Sequence, residues 1–162
     1  MTAPRTLSRD FHAYRIGDPN GSHPIFSAEG ARCVGGRWHR GGDAVIYASE
    51  HYATAMLEKL TALNGILPPN QHFITITIPA GTSYEVVTAD VLPDWYTADA
   101  ASAQAYGHRW YVERRSALLI VPSVPARMER NVVINADHPE AEAIEHGFET
   151  PVWWDERLFT GP

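Results

Sequence analysis

The sequence feature that most restricts how this chain folds is a glycine-rich stretch over residues 30–42, GARCVGGRWHRGG. It contains five glycines, three arginines and one tryptophan. Glycine reaches positive φ and lets the backbone approach a ligand closely, so the stretch predicts a loop. Arginine presents a planar fork of donors to phosphate oxygens, and tryptophan offers a flat face to a ring. The stretch therefore indicates a loop that binds a small molecule with a phosphate and a ring, with a solvated turn as the alternative.

Composition indicates an ordinary folded domain. The 162 residues are 44% hydrophobic and 20% charged, which suits a single domain over residues 1–162 with its own core. No apolar run reaches the length of about eighteen residues that predicts a membrane span, and the N-terminal residues lack the apolar centre of a secretory signal. The single cysteine, Cys33, excludes an internal disulfide. We therefore expect a cytoplasmic protein without membrane contact.

The balance of charge argues against a general nucleic-acid binder. The net charge is −6, whereas affinity for DNA or RNA depends on neutralising phosphates. Local positive charge is still present in two groups, which are Arg32, Arg37 and Arg40, and Arg109, Arg114 and Arg115. On an acidic protein such groups suit a small anionic ligand better than a polymer.

Hydrophobic periodicity predicts an α+β fold with six or seven short strands and two main helices. The first helix is predicted to begin at Ser49 as its N-cap and to end at Asn64 and Gly65. The second helix is predicted over residues 100–114. Strands are predicted at residues 14–16, 44–48, 73–78, 84–87, 116–121 and 131–134. We expect the strand at 84–87 to pair with that at 73–78 across the turn at residues 80–82.

Glu58 is the residue of the first helix that the apolar pattern does not explain. The apolar positions Met56 and Leu60 lie on the opposite side of the helix. The neighbours on its own face are small or polar, namely His51, Thr54, Ala55, Thr61 and Ala62. Two interpretations remain open. Glu58 is either an ordinary solvent-facing glutamate or part of a helix between core and cleft, where small residues leave room for a ligand beside the carboxylate.

Several other kinds of site are not indicated. The eight histidines form no metal-binding motif, so no metal site is predicted. A nucleophile elbow and a P-loop lysine motif are also absent, so the sequence gives no support for a hydrolase or an NTPase of those classes.

Five motifs in this chain, taken in their order and spacing, resemble the RES-domain toxins of Xre–RES toxin–antitoxin pairs. They are GGRWHRGGDAVIYAS at residues 35–49, AMLEKL at 55–60, LLIVPSV at 118–124, ERNVVINADHPE at 129–140 and WWDERLF at 153–159. The resemblance extends from about Tyr14 to Phe159. It implies a compact single α+β domain similar to ADP-ribosyltransferase toxins, with short mixed or antiparallel strands around an NAD cleft.

The family takes its name from an arginine, a glutamate and a serine. By resemblance these are Arg37 in GGRW, Glu58 in MLEK and Ser123 in VPSV, with Ser116 as a second candidate for the serine. The tyrosine of the family's short strand corresponds to Tyr47.

The resemblance also implies how the site residues act. The catalytic residues would be Glu58, Arg37 and Tyr47, and the substrate-binding residues Arg32, Arg37, Tyr47, Ser123 and His51. Glu58 would stabilise positive charge on the ribose, while Arg37, helped by Arg32, would clamp the pyrophosphate. Tyr47 would orient the nicotinamide end, and Ser123 would hold Glu58 or the ribose. His39 stands where the family commonly has asparagine, and its role is left open.

The function implied by the resemblance is that of a toxin with NAD+ as its substrate. Such a toxin cleaves the nicotinamide–ribose bond and transfers ADP-ribose to a protein, with hydrolysis or phosphorolysis of NAD+ as the alternative. The implied partner is a cognate Xre-type antitoxin, and the target protein and the stoichiometry of the complex are left open. An RNA-cleaving toxin and a non-catalytic nucleotide-binding module remain as competing functions.

Overall fold

Among the described residues, one mixed β-sheet is flanked by three α-helices. The computed structural model describes residues 3–64, 66 and 69–159. In that part of the chain the strands are β1 (Arg5–Thr6), β2 (Phe11–Gly17), β3 (Val45–Ser49), β4 (His72–Ile78), β5 (Ser83–Val86), β6 (Leu118–Pro122), β7 (Arg130–Asn135), β8 (Glu145–His146) and β9 (Thr150–Pro151). The helices are α1 (Glu29–Cys33), α2 (Tyr52–Ala62) and α3 (Ala101–Glu113). The predicted α+β class is confirmed.

The strands follow the order β1-β5-β6-β7-β3-β2-β4-β8, and β9 also pairs with β4. All pairs are antiparallel except β5 with β6. The predicted pairing of β5 with β4 is wrong, because β5 pairs with β1 and β6 while β4 pairs with β2. The reason lies at the connecting turn: Gly81 and Thr82 exchange backbone hydrogen bonds with Leu7, which directs the chain to β1 instead of back along β4.

The sheet carries apolar side chains on both faces, because successive residues of its central strands point in opposite directions. One face holds a cluster that includes Ile46, Ile76, Leu118 and Ile134. The other face packs beneath α3 in a cluster that includes Trp38, Trp110, Leu119 and Val133. The central strands are therefore buried on both sides, and the sheet is a rigid support for the loops at its edges.

The sheet is incompletely paired between β2 and β3. Strand β2 forms seven residue pairs with β4 but only one with β3, Tyr14 with Ser49. Arg15 fills part of the gap, since its Nη1 donates to the Tyr47 carbonyl at 2.9 Å and its Nε to the Ile25 carbonyl at 2.6 Å. We call this opening between β2 and β3 the seam.

Helix α2 begins later than the sequence predicted. Ser49 is the last residue of β3, and the N-cap position belongs to His51, whose side chain makes no capping hydrogen bond. At the other end, Asn64 has a φ of 53°, the left-handed conformation expected beyond a helix. Gly65, the second half of the predicted stop, lies outside the described residues.

The glycine-rich stretch divides into a short helix and a loop. Residues 30–33 belong to α1, contrary to the predicted loop, and residues 34–44 form the loop itself. Helix α3, close to its predicted limits, lies directly on this loop. A Cβ atom at Gly107 would come within 1.8 Å of the Trp38 carbonyl oxygen, so the two backbones touch.

Candidate active site

An open pocket of about 200 Å³ lies in the seam, beside α2. It is lined from β2 by Tyr14, Arg15 and Ile16, from β3 by Tyr47, Ala48 and Ser49, from α2 by Ala55, Glu58, Lys59 and Ala62, and from β7 by Asn131. The pocket therefore draws on four elements that are remote in the sequence but meet where the sheet opens.

Glu58 projects from α2 into this pocket. The buried residues of the helix are Thr54 and Ala55, on the small-residue face, whereas Leu57 is 39% exposed. Ala55 and Ala62 line the pocket on either side of the carboxylate and leave space beside it. The structure thus favours the second interpretation of Glu58, a helix between core and cleft.

The Glu58 carboxylate is held through one of its two oxygens. The Ser123 hydroxyl donates to Oε1 at 2.7 Å, and the Asn131 side-chain amide donates to the same atom at 2.8 Å. In the described chain no hydrogen bond is made to Oε2. Ser116, the other candidate for the family serine, instead accepts from the Trp110 indole and donates to the Leu118 carbonyl, away from Glu58.

Asn131 is a pocket residue that sequence reasoning missed. It lies in the ERNVVIN motif, but its pattern indicated only a strand. Its amide meets Glu58 because β7 pairs with β3 next to the helix that carries the glutamate, and the sequence contains no local signal of that contact.

Two cations, Arg15 and Lys59, share the pocket with Glu58, and both were missed from the sequence. Neither forms an ion pair with a carboxylate in the part of the chain that the structure describes. Burial lowers the pKa of Arg15, and burial together with the charge of Arg15 lowers the pKa of Lys59. Unpaired, desolvated cations create a positive potential that favours an anionic ligand.

Tyr47 lines the pocket, while its hydroxyl is engaged by the glycine-rich loop. The Trp38 backbone N–H donates to Oη at 3.1 Å, and His39 Nδ1 lies 2.7 Å from Oη. His39 Nε2 lies 3.0 and 2.9 Å from the carbonyls of Ala31 and Val34, so it carries the proton and Nδ1 accepts from Tyr47. Burial raises the pKa of Tyr47 well above its usual value. The buried His39 therefore fixes the tyrosine and the loop to each other.

Arg37 does not line the pocket. Its Nη1 donates to the carbonyls of Trp95 and Thr97, at 3.0 and 2.7 Å. These bonds connect the glycine-rich loop to the segment that precedes α3. Arg127 lies over the Trp95 ring, with its guanidinium carbon 5.2 Å from the ring centroid, and so extends the connection to the turn that begins at Ser123.

Arg32 and His51 also lie outside the pocket lining. Exposed Arg32 pairs with Glu29 at 3.0 Å and with Asp137 at 3.6 Å. His51 Nδ1 lies 2.8 Å from a carboxylate oxygen of Glu129. The structure thus brings Glu58 and Tyr47 into the pocket and Ser123 onto Glu58, but it leaves Arg32, Arg37 and His51 outside.

Two further observations concern the described residues as a set. They contain no group of three or more histidine, cysteine, aspartate or glutamate side chains placed to hold a metal ion. Among their helices, none has the length and apolar character needed to cross a membrane.

The chain is similar to known toxins over most of its length. It is 36% identical over 144 residues to the Prs ADP-ribosylating toxin of Sphingobium sp. (strain YBL2), covering 86% of this chain and 85% of the relative. It is 32% identical over 138 residues to the toxin Res of Pseudomonas putida, covering 82% of this chain and 92% of the relative.

A solved structure shares the fold at low sequence identity. A chain of the crystal structure of the M. tuberculosis MbcT–MbcA toxin–antitoxin complex superposes with a TM-score of 0.71 at 18% identity, covering 91% of this chain and 86% of that chain. The RES domain family matches residues 12–155. The resemblance stated from the sequence is thereby confirmed, and this chain belongs to the RES domain family.

Proposed function

We propose that this protein is a toxin that cleaves the nicotinamide–ribose bond of NAD+ and transfers ADP-ribose to a protein target. The observation that carries the proposal is Glu58, placed in an open pocket with one oxygen held by two donors. Two cations that have no carboxylate partner among the described residues line the same pocket. Membership of the RES domain family and the similarity to a toxin named for ADP-ribosylation support the same reaction.

A single carboxylate suits this chemistry. The nicotinamide ring is cationic before its bond to ribose breaks, so it leaves without a general acid, and the second carboxylate that most glycosidases use is unnecessary. Positive charge develops on the ribose as the bond lengthens. Glu58 stabilises that charge electrostatically and accepts a hydrogen bond from a ribose hydroxyl.

The cations of the pocket take the role of binding the pyrophosphate. Arg15 and Lys59 line the pocket with Glu58 and have no carboxylate partner among the described residues, although Arg15 also donates to the carbonyls of Tyr47 and Ile25. Arg37 and Arg32 lie outside the pocket lining. In this scheme Arg37 acts indirectly, by fixing the segment around Trp95 against the glycine-rich loop. The Tyr47 ring forms part of the wall that orients the nicotinamide end.

The fate of ADP-ribose depends on which acceptor reaches the ribose. A protein side chain is the acceptor that we propose, and water or inorganic phosphate at the same position would give hydrolysis or phosphorolysis. The pocket opens to solvent, so all three can approach the same carbon. We further propose that a cognate Xre-type antitoxin covers this opening, in line with the toxin–antitoxin complex that contains the chain of similar fold.

The proposal is tested by incubating purified protein with NAD+ labelled on the adenylate phosphate, with and without cell lysate. Nicotinamide release and labelled protein bands are measured for the wild type and for Glu58→Gln. We expect Glu58→Gln to lower nicotinamide release by about 10²–10³-fold, the usual loss on removing a preorganised electrostatic group. Glu149→Gln is the matched control, since Glu149 is exposed and does not line the pocket.

The products distinguish the possible reactions. A labelled band that requires Glu58 supports transfer to protein. Nicotinamide release without a band indicates hydrolysis, or phosphorolysis if added phosphate changes the labelled product. Intact NAD+ in every reaction would overturn the proposed enzyme and leave the binding-module and RNA-cleaving alternatives, which RNA integrity during expression separates.

A further inference from the structure

We infer that Asn131 and Ser49 are positioning residues for Glu58: together they set the rotation of its carboxylate, so that Oε2 is the oxygen presented to substrate. The inference rests on the proposed function, because it assigns roles around the same glutamate. Both residues lie within motifs that carry the family resemblance, but neither is the family's named arginine, glutamate or serine.

The pair is built into the sheet. Ser49 ends β3 and stands directly opposite Asn131 in the β3–β7 register. The Ser49 hydroxyl donates to Asn131 Oδ1 at 2.8 Å, and Asn131 Nδ2 donates to Glu58 Oε1 at 2.8 Å. Ser49 is only 4% exposed, so water competes little for its hydroxyl.

This arrangement fixes which way the amide faces. If the Asn131 amide were flipped, its carbonyl oxygen would lie against the Glu58 carboxylate, and two acceptors would oppose each other. With Ser49 donating to Oδ1, the amide nitrogen is held toward Glu58. Ser49 therefore acts on Glu58 through Asn131, without touching it.

Two donors converge on the same carboxylate oxygen from different elements. Asn131 reaches Oε1 from β7, and Ser123 reaches it from the turn after β6. A carboxylate held at one oxygen from two directions cannot rotate freely about its final bond, so Oε2 keeps one orientation. Asn131 also contributes no charge, so it orients Glu58 without neutralising it as a lysine or arginine would.

The test is steady-state NAD+ consumption by the full-length protein and by three variants, with kcat and KM measured separately. We expect Asn131→Ala to lower kcat by about 10–100-fold with KM changed by less than about threefold, because misplaced catalytic groups cost rate more than binding. We expect a smaller loss of kcat, about 2–10-fold, for Ser49→Ala, since the amide remains but is free to turn.

Asn131→Asp provides a readout that a merely structural role would not move. It preserves the shape of the side chain but places a second carboxyl group within hydrogen-bond distance of Glu58. Two carboxyl groups this close share a proton, so we expect the acidic limb of the kcat–pH profile to shift to higher pH.

The matched control is Asn135→Ala. Asn135 is buried four residues along the same strand, donates to the Tyr111 carbonyl and does not line the pocket. This variant reports the general cost of losing a buried asparagine from β7, and thermal unfolding of every variant reports whether the fold is intact. We expect Asn135→Ala to leave the kcat–pH profile in place.

If Asn131→Ala fails to fold, the measurements on Ser49→Ala and Asn131→Asp still test the positioning role.

The failure of this inference is distinguishable from failure of the proposed function. A wild type that consumes NAD+ while Asn131→Ala and Ser49→Ala keep kcat within about twofold, with no shift for Asn131→Asp, overturns the positioning role. A wild type that leaves NAD+ intact overturns the proposed function instead. In that case NMR on ¹³C-glutamate-labelled protein still tests the contact between residue 131 and Glu58. The titration of the Glu58 carboxyl group moves in Asn131→Asp if the two side chains are in contact and stays in place if they are not.

Discussion

Lys59 lowers the stability of the folded protein because of its position in the pocket. Its ammonium group is partly removed from water, lies beside the charge of Arg15 and has no carboxylate partner among the described residues. The pKa of Lys59 is lowered for these reasons, which means that the unfolded chain holds this proton more tightly than the native one. A cation kept in such a place is typical of a binding site, not of a structural core.

Replacing this lysine should therefore stabilise the protein and weaken substrate binding at the same time. We expect Lys59→Met to raise the Tm near pH 7 and to raise the KM for NAD+. The stability gain should shrink as the pH rises toward the lysine's ordinary value of about 10.5, because the native lysine then loses its proton and the penalty disappears. Thermal unfolding between pH 7 and 10.5 measures this trend, and a lower Tm in Lys59→Met at neutral pH would contradict it.

The sequence indicated some residues of the pocket and missed others for a physical reason. Glu58 stood out because its face of the helix lacked apolar neighbours, and Ser123 came from the resemblance; the two are in hydrogen-bond contact. Arg15 and Asn131 were missed, because only strand pairings between distant parts of the chain bring them to the pocket that holds Glu58. Local pattern carries no information about such contacts.

At the scale of elements, the contact between α3 and the glycine-rich loop is the least tolerant of change. Because a Cβ at Gly107 would meet the Trp38 carbonyl carbon and oxygen at 2.6 and 1.8 Å, the obstacle is backbone and cannot rotate away. We expect Gly107→Ala to destabilise the protein by about 3 kcal/mol or more, at or above the upper end for overpacked sites. Chemical denaturation measures the loss.

Gly30→Ala is the matched control for that change. Gly30 lies in α1, and a Cβ there would meet nothing within 4 Å. Alanine also favours helix over glycine, so we expect unchanged or slightly higher stability. Equal stability of the two variants would show that α3 does not rest on the loop as described.

Each predicted strand and helix overlaps an element of the structure, but the short elements β1, β8, β9 and α1 were missed and the predicted pairing of β5 was wrong. Alternation located β4 and the apolar run located β6, because these signals are local. The pairing of β5 depended on Leu7, a residue more than seventy positions away in the chain that captures the turn at Gly81. The start of α2 was displaced because Ser49, a good N-cap by type, is used in β3 to bond Asn131.

At the scale of the whole molecule, stability should depend on pH through the pair of Glu50 and Arg130. Both guanidinium-to-carboxylate hydrogen bonds are short, at 2.8 and 2.9 Å, and the arginine lowers the pKa of Glu50. A lowered carboxyl pKa adds stability above the ordinary glutamate value and loses it as the pH falls through the lowered value.

We therefore expect Glu50→Gln to lower the Tm at neutral pH, with a difference from wild type that narrows below about pH 4. The measurement is thermal unfolding of both proteins from pH 3 to 8. Glu149→Gln is the control, since Glu149 is exposed and forms no ion pair with any described residue. A difference that stays constant across this range would contradict the role of the ion pair.

The seam also has a mechanical consequence. Strand β1 lies at one edge of the sheet and β8 at the other, so tension applied across the molecule passes through every strand boundary in series. The boundary between β2 and β3 has one backbone pair, so the side chain of Arg15 and the apolar cluster that includes Ile46 of β3 and Ile76 of β4 supply most of its connection. Helix α2 contacts both β2 and β3. A substrate bound beneath the helix would therefore add contacts at the strand boundary that has the fewest backbone pairs.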